Sequence, residues 1–500
     1  MRRDSVYRAV GWFLLALAVR GAFLTSHRDR DWPYSIFYYV DSMAYYRYAE
    51  GLARGTRADA EVLYHPPLTG WFTWLQFRLW GLPPAPGWRY KLGFAFVNAL
   101  TVALTYVYLR RWGFPGLAPW AALWLTFAFA MLEVSSTPNA ETLYMLGLLL
   151  TLGTLLAGNA RPGLTWGLLA GAVGGATSLA RAEHLSLFVL LSAYLIFRAF
   201  RNRTGWSRPR RLWLVGLILG LLAPLVPWTL YTATVLHRIN AQLQTIGAPP
   251  VRSWALITQY DAFNFAIANH PQADGGFDPA LVPTAARTGR LSLADPAARL
   301  YYDAGYRLGW QWIREDPARF GRLVLRKVDR WLRGLSLGWG VSNWPGGLTG
   351  VRYPADAFVP DRRWLQWPLL ACLGMGLLVG LRHFAPLGAL LVIVVLHRLI
   401  VTVLFFGYAR NLIAIYPVVV ILSLWGGIAL VRSLGRMLRI SVSSRWTRWG
   451  WTVLMTVFTV HACLHFGALR NYMASGPVDE RGKIIQDATV RIWLAPEARP

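Results

Sequence analysis

From Val6 to Leu469 the chain is a succession of apolar runs separated by short breaks rich in arginine, proline or glycine, and that alternation leaves little choice of fold. A hydrophobic helix needs roughly 20 residues to cross the hydrocarbon of a bilayer, and on that measure the sequence holds about eleven spans. They are Val6–Leu24, Trp88–Leu109, Leu117–Leu132, Glu141–Ala157, Leu164–Leu179, Leu185–Phe200, Leu212–Tyr231, Leu365–Leu381, Pro386–Phe406, Leu412–Val431 and Trp449–Leu469. With 55% hydrophobic and only 15% charged residues, the expectation is an all-α polytopic membrane protein, not a soluble globule. The first run lacks a small-residue cleavage site and leads straight into an aromatic segment, which separates it from a cleaved signal peptide.

A net charge of +27 would point to nucleic acid in a soluble protein, but here the arginines gather where apolar runs stop and read as topology signals. Arg2, Arg3 and Arg8 flank the first span, Arg110 and Arg111 follow the second, Arg161 the fourth, and RAFRNRTGWSRPRR (198–211) the sixth. Arg382 and the segment 431–449 follow the eighth and tenth. If spans alternate, all of these share one side, which the positive-inside rule assigns to the cytoplasm. The chain then divides into an N-terminal transmembrane module 1–231 with its outer loop 25–87, an extracytoplasmic subdomain 232–364, C-terminal helices 365–469 and an outer-facing tail 470–500. Tryptophans such as Trp12, Trp88, Trp228 and Trp449 near span ends suit an interfacial aromatic belt. Cys372 and Cys463 lie inside apolar runs with no metal-ligand spacing, which removes redox chemistry.

Function is therefore expected on the outer side. There, YYVDSMAYYRYAEGLARG (38–55) predicts a short amphipathic helix that aligns Asp41, Tyr45, Tyr48 and Leu52 before Gly55 ends it. In YHPPLTGWFTWL (64–75) the paired prolines fix His65 and start a second amphipathic or re-entrant segment. That turn returns the chain to the membrane; His65 beside an acidic loop is also a candidate for a metal or a phosphate oxygen. In the large outer segment, REDPARFGRLVLRKVDRW (314–331) predicts a helix opened by Pro317, and loops such as NWPGG (343–347) interrupt a small, mostly helical subdomain.

Three further groups face the same side. Glu141 begins the fourth span, where capping accounts for it and proximity to Asp41 offers a second role. Arg181, Glu183 and His184 lie between two spans, where a charge at the centre costs about 2.5–3.5 kcal/mol and is paired or functional. An Arg181–Glu183 ion pair is one account, and a guanidinium at the membrane rim holding a phosphate is the other. In FFGYARNLIAIYP (405–417), Tyr408 and Arg410 stand at the outer end of a span with Pro417 expected in mid-helix; snorkelling explains Arg410, and phosphate binding is the sharper alternative. GxxxxGK[ST], HExxH, CxxC and GxSxG motifs are missing, which points to an energy-rich substrate already in the membrane.

The series formed by Asp41, Tyr45, Ala49, Leu52 and Gly55, then YHPPL (64–68), Arg181, the Pro317 helix and the Arg410-to-Pro417 element resembles the GT-C superfamily of polytopic glycosyltransferases. In particular it resembles bacterial relatives of protein O-mannosyltransferases and of the lipid A aminoarabinose transferase, over about Val6–Leu430. The resemblance implies the GT-C fold in a prokaryotic cytoplasmic membrane, with inverting transfer of a sugar from a polyprenyl-phosphate carrier to a glycan, lipid or protein hydroxyl on the outer face. Membrane lipids are then partners and nucleic acid is not. It implies Asp41 as the catalytic base, Arg181 and Arg410 as holders of the donor phosphate, and Tyr45, His65, Glu141, Glu183 and Tyr408 as further active-site residues. Some relatives hold a divalent metal here, for which Asp41, His65 and Glu141 are the candidate ligands; no other cofactor is expected. Protein O-mannosyltransferases carry Asp-Glu where this chain has Asp41-Ser42, which counts against direct transfer to protein. A flippase would share the spans and interfacial arginines, but its repeated broken halves are not evident; a membrane scaffold would leave the outer acids dispensable.

Overall fold

The computed structural model describes residues 3–26, 39–56, 65–81, 88–136, 138–201, 207–277, 281–282, 296–337, 363–382 and 386–437. The expected span Trp449–Leu469, the tail 470–500, NWPGG (343–347) and Cys463 lie outside these residues. Among the described residues every regular element is a helix. The spans are α1 (Arg3–Ser26), α4 (Trp88–Arg111), α7 (Ala140–Ala160), α9 (His184–Arg201), α10 (Arg208–Thr245), α16 (Pro386–Leu404) and α18 (Tyr416–Met437). These 7 are long and apolar enough to cross a bilayer, so the chain is a multi-pass membrane protein. The short helices α2 (Tyr39–Arg54) and α3 (Leu68–Trp80) fill the first loop, as the amphipathic pattern predicts. Between α10 and α15 (Arg363–Arg382) stand α11 (Asp261–Asn269), α12 (Pro296–Glu315), α13 (Pro317–Leu332) and α14 (Gly334–Leu337).

One expected span, Leu365–Leu381, lies in α15, whose apolar stretch Gln366–Arg382 is shorter than the seven spans, and three others differ from the sequence pattern in shape. The run Leu117–Leu132 is two helices, α5 (Ala118–Phe127) and α6 (Phe129–Ser135), bent by 60°. The break falls at Ala128, whose ψ of 125° is extended and frees carbonyls in the last turn of α5. Arg20, fully buried on α1, supplies the missing donors: it bonds Leu125 O at 3.0 Å and Thr126 O at 3.3 Å, and Asn98 Oδ1 at 2.8 Å. The run Leu164–Leu179 forms α8 (Leu164–Ser178), only 15 residues, or about 22 Å at the α-helical rise. Its glycines press it onto α10: a Cβ at Gly167 or Gly171 would meet a backbone oxygen of α10 at 2.2 or 2.3 Å. Small residues of this kind let two apolar helices touch along their backbones. Finally, Pro417 is not in mid-helix but in the first turn of α18, after the short α17 (Ala409–Ile413), where proline costs the helix no hydrogen bond.

The outermost helices follow their local signals. Asp316 caps α13 by accepting from Arg319 N at 2.8 Å behind Pro317, and Leu323, Lys327 and Trp331 form its buried face. That face rests on α16 and α17. Lys327 Nζ donates to Val403 O and Asn269 Oδ1, both at 3.0 Å, and so meets the carbonyl end of α16. The chain beyond that end, residues 405–408, is thereby fixed against α13; a side chain at Gly407 would strike Lys327 O at 2.2 Å.

Candidate active site

The first turn of α2, the N-terminus of α7, the turn between α8 and α9, the body of α16 and the start of α17 converge. Asp41 projects from α2, whose Tyr45, Tyr48 and Ala49 are buried and whose end is set by Gly55 at φ +67°. The Asp41 carboxylate accepts a hydrogen bond from Arg410 Nη1 and forms an ion pair with it. Arg410 is held by its surroundings: its guanidinium lies 5.1 Å from the Tyr408 ring centroid, and the Tyr408 hydroxyl accepts from Phe277 N. The neighbouring Gly407 N donates to Gly275 O at 2.9 Å, which pins this strap to the outer helices. The His65 ring lies 5.1 Å from that of Tyr45, tilted by 54°, beside the prolines that open α3. Leu68 N donates to Leu179 O at 2.9 Å and ties that opening to the Arg181 turn.

Arg181 is the centre of a second cluster. It donates from Nη1 to Glu141 Oε1 at 2.7 Å, from Nε to Glu183 Oε1 at 2.6 Å and from Nη2 to Asn411 Oδ1 at 3.1 Å. The expected Arg181–Glu183 pair is thus real, and it is part of something larger. Glu141 is directed at Arg181, while Asn139 caps α7 by accepting from Thr142 N at 2.9 Å. Capping therefore does not account for Glu141. Arg398, from α16, donates to the same Glu183 oxygen at 2.6 Å and to Asn411 O at 2.8 Å. The guanidinium carbons of Arg181 and Arg398 lie 5.9 and 5.8 Å from the Tyr144 ring centroid.

Exposure grades the cluster from open to closed. Asp41 and Arg410 are 28% and 26% exposed, Arg181 is 16%, and Glu141 and Arg398 are 4% and 2%. A reactant meets Asp41 and Arg410 first. Burial pushes the Asp41 carboxyl up, but the Arg410 guanidinium, helped by His65 and Arg181, outweighs it and holds the group below the usual carboxylate range. Burial and Arg410 push the His65 imidazole down against the pull of Asp41. Burial, reinforced by Asp41 and Glu141, lifts the Tyr45 phenol well above its ordinary value, and burial brings Tyr408 up to about 12, so both remain protonated donors. Glu183 also is opposed by burial but held far down by Arg181 and Arg398.

Asp41, with its folded pKa depressed, keeps its charge above the ordinary aspartate value and loses it, with the ion pair's stabilisation, only as pH falls through the lower folded value. If Asp41 is the base that the resemblance implies, the acid limb of kcat/KM is expected below about pH 4, and a limb near pH 6 assigns that role to another group.

Among the described residues no three His, Cys, Asp or Glu side chains converge as metal ligands. Asp41 and Glu141, expected to join His65 around a divalent ion, each face a guanidinium instead, and a cation between them would meet like charge. As arranged, the cluster does not fit a divalent metal, and no step below passes through one. The structure thus brings Asp41, Arg410 and Tyr408 together, and Glu141, Arg181 and Glu183 together. The sequence pattern had not singled out Arg398, Asn411 or Tyr144. An arginine inside the apolar run VVLHRLIV (394–401) was the available signal for the first of these.

Residues 64–231 match the model of the family described as dolichyl-phosphate-mannose-protein mannosyltransferase. Among solved structures, the chain is similar to the apo oligosaccharyltransferase of Archaeoglobus fulgidus, at 13% identity and a TM-score of 0.49 over 99% of this chain and 58% of that one. It is also similar to ArnT from Cupriavidus metallidurans in the apo state, at 18% identity and a TM-score of 0.37 over 83% of this chain and 77% of that one. ArnT bound to undecaprenyl phosphate matches at 17% identity and a TM-score of 0.37, over 83% and 76%. The chain spans 58% of the length of the archaeal oligosaccharyltransferase. No curated protein sequence matches it.

Proposed function

We propose that this chain is an inverting glycosyltransferase of the GT-C type that moves a sugar from a polyprenyl-phosphate carrier to an acceptor hydroxyl. The site lies on the extracytoplasmic face of a prokaryotic cytoplasmic membrane, with the N-terminus inside, as the arginine distribution supports. One observation carries the proposal: a part-exposed carboxylate, Asp41, paired with a part-exposed guanidinium, Arg410, beside a second guanidinium, Arg181. The family match supports it independently, since 64–231 contains His65, Glu141, Arg181 and Glu183 but neither Asp41 nor Arg410.

The chemistry follows from the charges. Asp41 accepts the proton of the acceptor hydroxyl as its oxygen attacks the anomeric carbon opposite the phosphate, and the bond from that carbon to the phosphate oxygen breaks. Three guanidiniums (Arg181, Arg398, Arg410) face three carboxylates (Asp41, Glu141, Glu183), so the cluster is neutral before substrate arrives. A carrier phosphodiester brings one negative charge and departs as a monoester with two. The proton taken up by Asp41 offsets the difference, so no net charge builds up during transfer. Arg410 and Arg181 stabilise the phosphate where that charge develops.

In vesicles holding a polyprenyl-phosphate sugar labelled in the sugar, the protein is expected to release free polyprenyl phosphate and pass the label to an acceptor. Movement of the intact carrier across the bilayer, with the sugar–phosphate bond unbroken, would overturn the proposal in favour of a flippase. Arg410→Ala is expected to weaken carrier binding roughly 10- to 100-fold, the worth of a charged hydrogen bond to phosphate. A binding isotherm unchanged by that substitution removes Arg410 from the phosphate site.

A further inference from the structure

We infer that Arg398, which never reaches the open side of the site, is a positioning residue that sets both phosphate-facing arginines at once. This rests on the glycosyltransferase function proposed above. Arg398 is only 2% exposed and lies on α16, inside an apolar run. Charge in such a place is kept when it is paired and used. Its fork reaches in two directions. One arm, Nη1, takes Glu183 Oε1 at 2.6 Å; the other, Nε, takes the carbonyl of Asn411 at 2.8 Å.

The first arm controls Arg181. Glu183 Oε1 is shared between Arg398 Nη1 and Arg181 Nε, so Glu183 meets Arg181 through one oxygen and one nitrogen. A carboxylate relieved of its second guanidinium closes on the remaining one as a two-toothed fork, the stronger geometry. That closure would take a further N–H of Arg181, whose Nη1 and Nη2 already serve Glu141 and Asn411. Arg398 therefore keeps donors of Arg181 available for phosphate. The second arm controls Arg410. Residue 411 is gripped from three directions: its carbonyl by Arg398, its Oδ1 by Arg181 Nη2, and its Nδ2 on Phe406 O at 2.9 Å. Arg410 is the adjoining residue, so its backbone is fixed by the same grip. One buried guanidinium thus aims one phosphate ligand through a carboxylate and the other through a peptide unit.

Binding of undecaprenyl phosphate to the full-length protein in detergent tests this, with thermal melting as the check on folding. Wild type is expected to bind, and Arg398→Met to bind about tenfold more weakly, the loss of one charge-assisted hydrogen bond to phosphate. The decisive variant is Arg398→Met with Glu183→Gln. A neutral amide cannot close on Arg181 as a carboxylate does, so this double variant is expected to bind more tightly than Arg398→Met alone, yet short of wild type because the Asn411 carbonyl still lacks its donor. Restored charge balance would give the same rescue, so Arg398→Lys, which keeps the cluster neutral but lacks the fork, is the control: it too is expected to bind more weakly than wild type. If Arg398→Met does not melt cooperatively, Arg398→Lys serves in its place: it keeps the charge but cannot hold Glu183 and the Asn411 carbonyl together, and weaker binding is again expected. Wild-type affinity in Arg398→Met or in Arg398→Lys, or a double variant as weak as its parent, overturns the inference while leaving the proposed function standing. A wild-type protein that does not bind undecaprenyl phosphate overturns the proposed function and this inference with it.

Discussion

Asp41→Asn, correctly inserted and folded, is expected to lose transfer by a factor of about 10²–10⁴, the usual worth of a positioned general base. The amide keeps the size of the side chain and a hydrogen-bonding oxygen, but it has no charge and cannot take the acceptor's proton. The loss should fall on the chemical step. Arg410, freed from its ion pair with Asp41, is more available to the carrier phosphate, so undecaprenyl phosphate should bind as tightly as in wild type or more so. Single-turnover consumption of a labelled donor, measured beside a binding isotherm, separates the two effects. Transfer at the wild-type rate would show the mechanism to be wrong; loss of binding with unchanged chemistry would make Asp41 a partner of Arg410 and nothing more.

Arg20→Leu should produce the largest structural effect. Arg20 is fully buried and bridges α1 to the broken end of α5. Leucine fills much of the volume but leaves the Leu125 and Thr126 carbonyls and Asn98 Oδ1 without these donors in an apolar interior. Each orphaned acceptor costs about 1–3 kcal/mol, partly offset because a guanidinium no longer has to be buried. A net loss of a few kcal/mol is a large share of the stability of an ordinary domain. Arg20→Lys, with all its donors on one nitrogen, can reach fewer of the three acceptors and is expected to melt between wild type and Arg20→Leu. The measurement is thermal unfolding in detergent; equal melting of Arg20→Leu and wild type would mean that the bend at Ala128 holds itself.

The sequence pattern carried the helices well where periodicity alone decides them. The 39–54 and 317–332 helices sit where their acid caps, prolines and apolar stripes placed them. It failed at Ala128, because the run from Leu117 to Leu132 is apolar throughout and nothing local marks the break; the donors that meet the freed carbonyls come from Arg20, 106 residues from Thr126 in sequence. The site divides in the same way. Asp41, Arg181 and Arg410 stand out as charges at membrane edges, where cost makes them conspicuous. Their pairing is a tertiary fact: Asp41 and Arg410 are separated by 369 residues, and Glu183 and Arg398 by 215. Arg398 escaped notice because its run is apolar enough to carry one charge and still read as a span. The pairing of Asp41 and Glu141 with arginines was illegible for a related reason, since sequence shows which carboxylates share a compartment but not which guanidiniums face them.

Helix α10 has a consequence of another kind. Its 38 residues amount to about 57 Å, well beyond the roughly 30 Å of hydrocarbon. Beyond the prolines at 224 and 227, Trp228 Nε1, Thr229 Oγ1 and Thr232 Oγ1 hold the carbonyls of Ile257, Leu256 and Ala255 at 2.9, 2.9 and 2.8 Å. The same packed group includes Tyr48 from the Asp41 helix and Leu179 beside the Arg181 turn. The helix therefore works like a keyed shaft, in which angle matters more than reach. One residue more or less would turn everything above it by about 100°, carrying the side chains that meet Tyr48 and Leu179 out of alignment. The chain can change length here only in steps that restore phase, which makes rotational register a condition for keeping the Asp41 helix and the Arg181 turn in step.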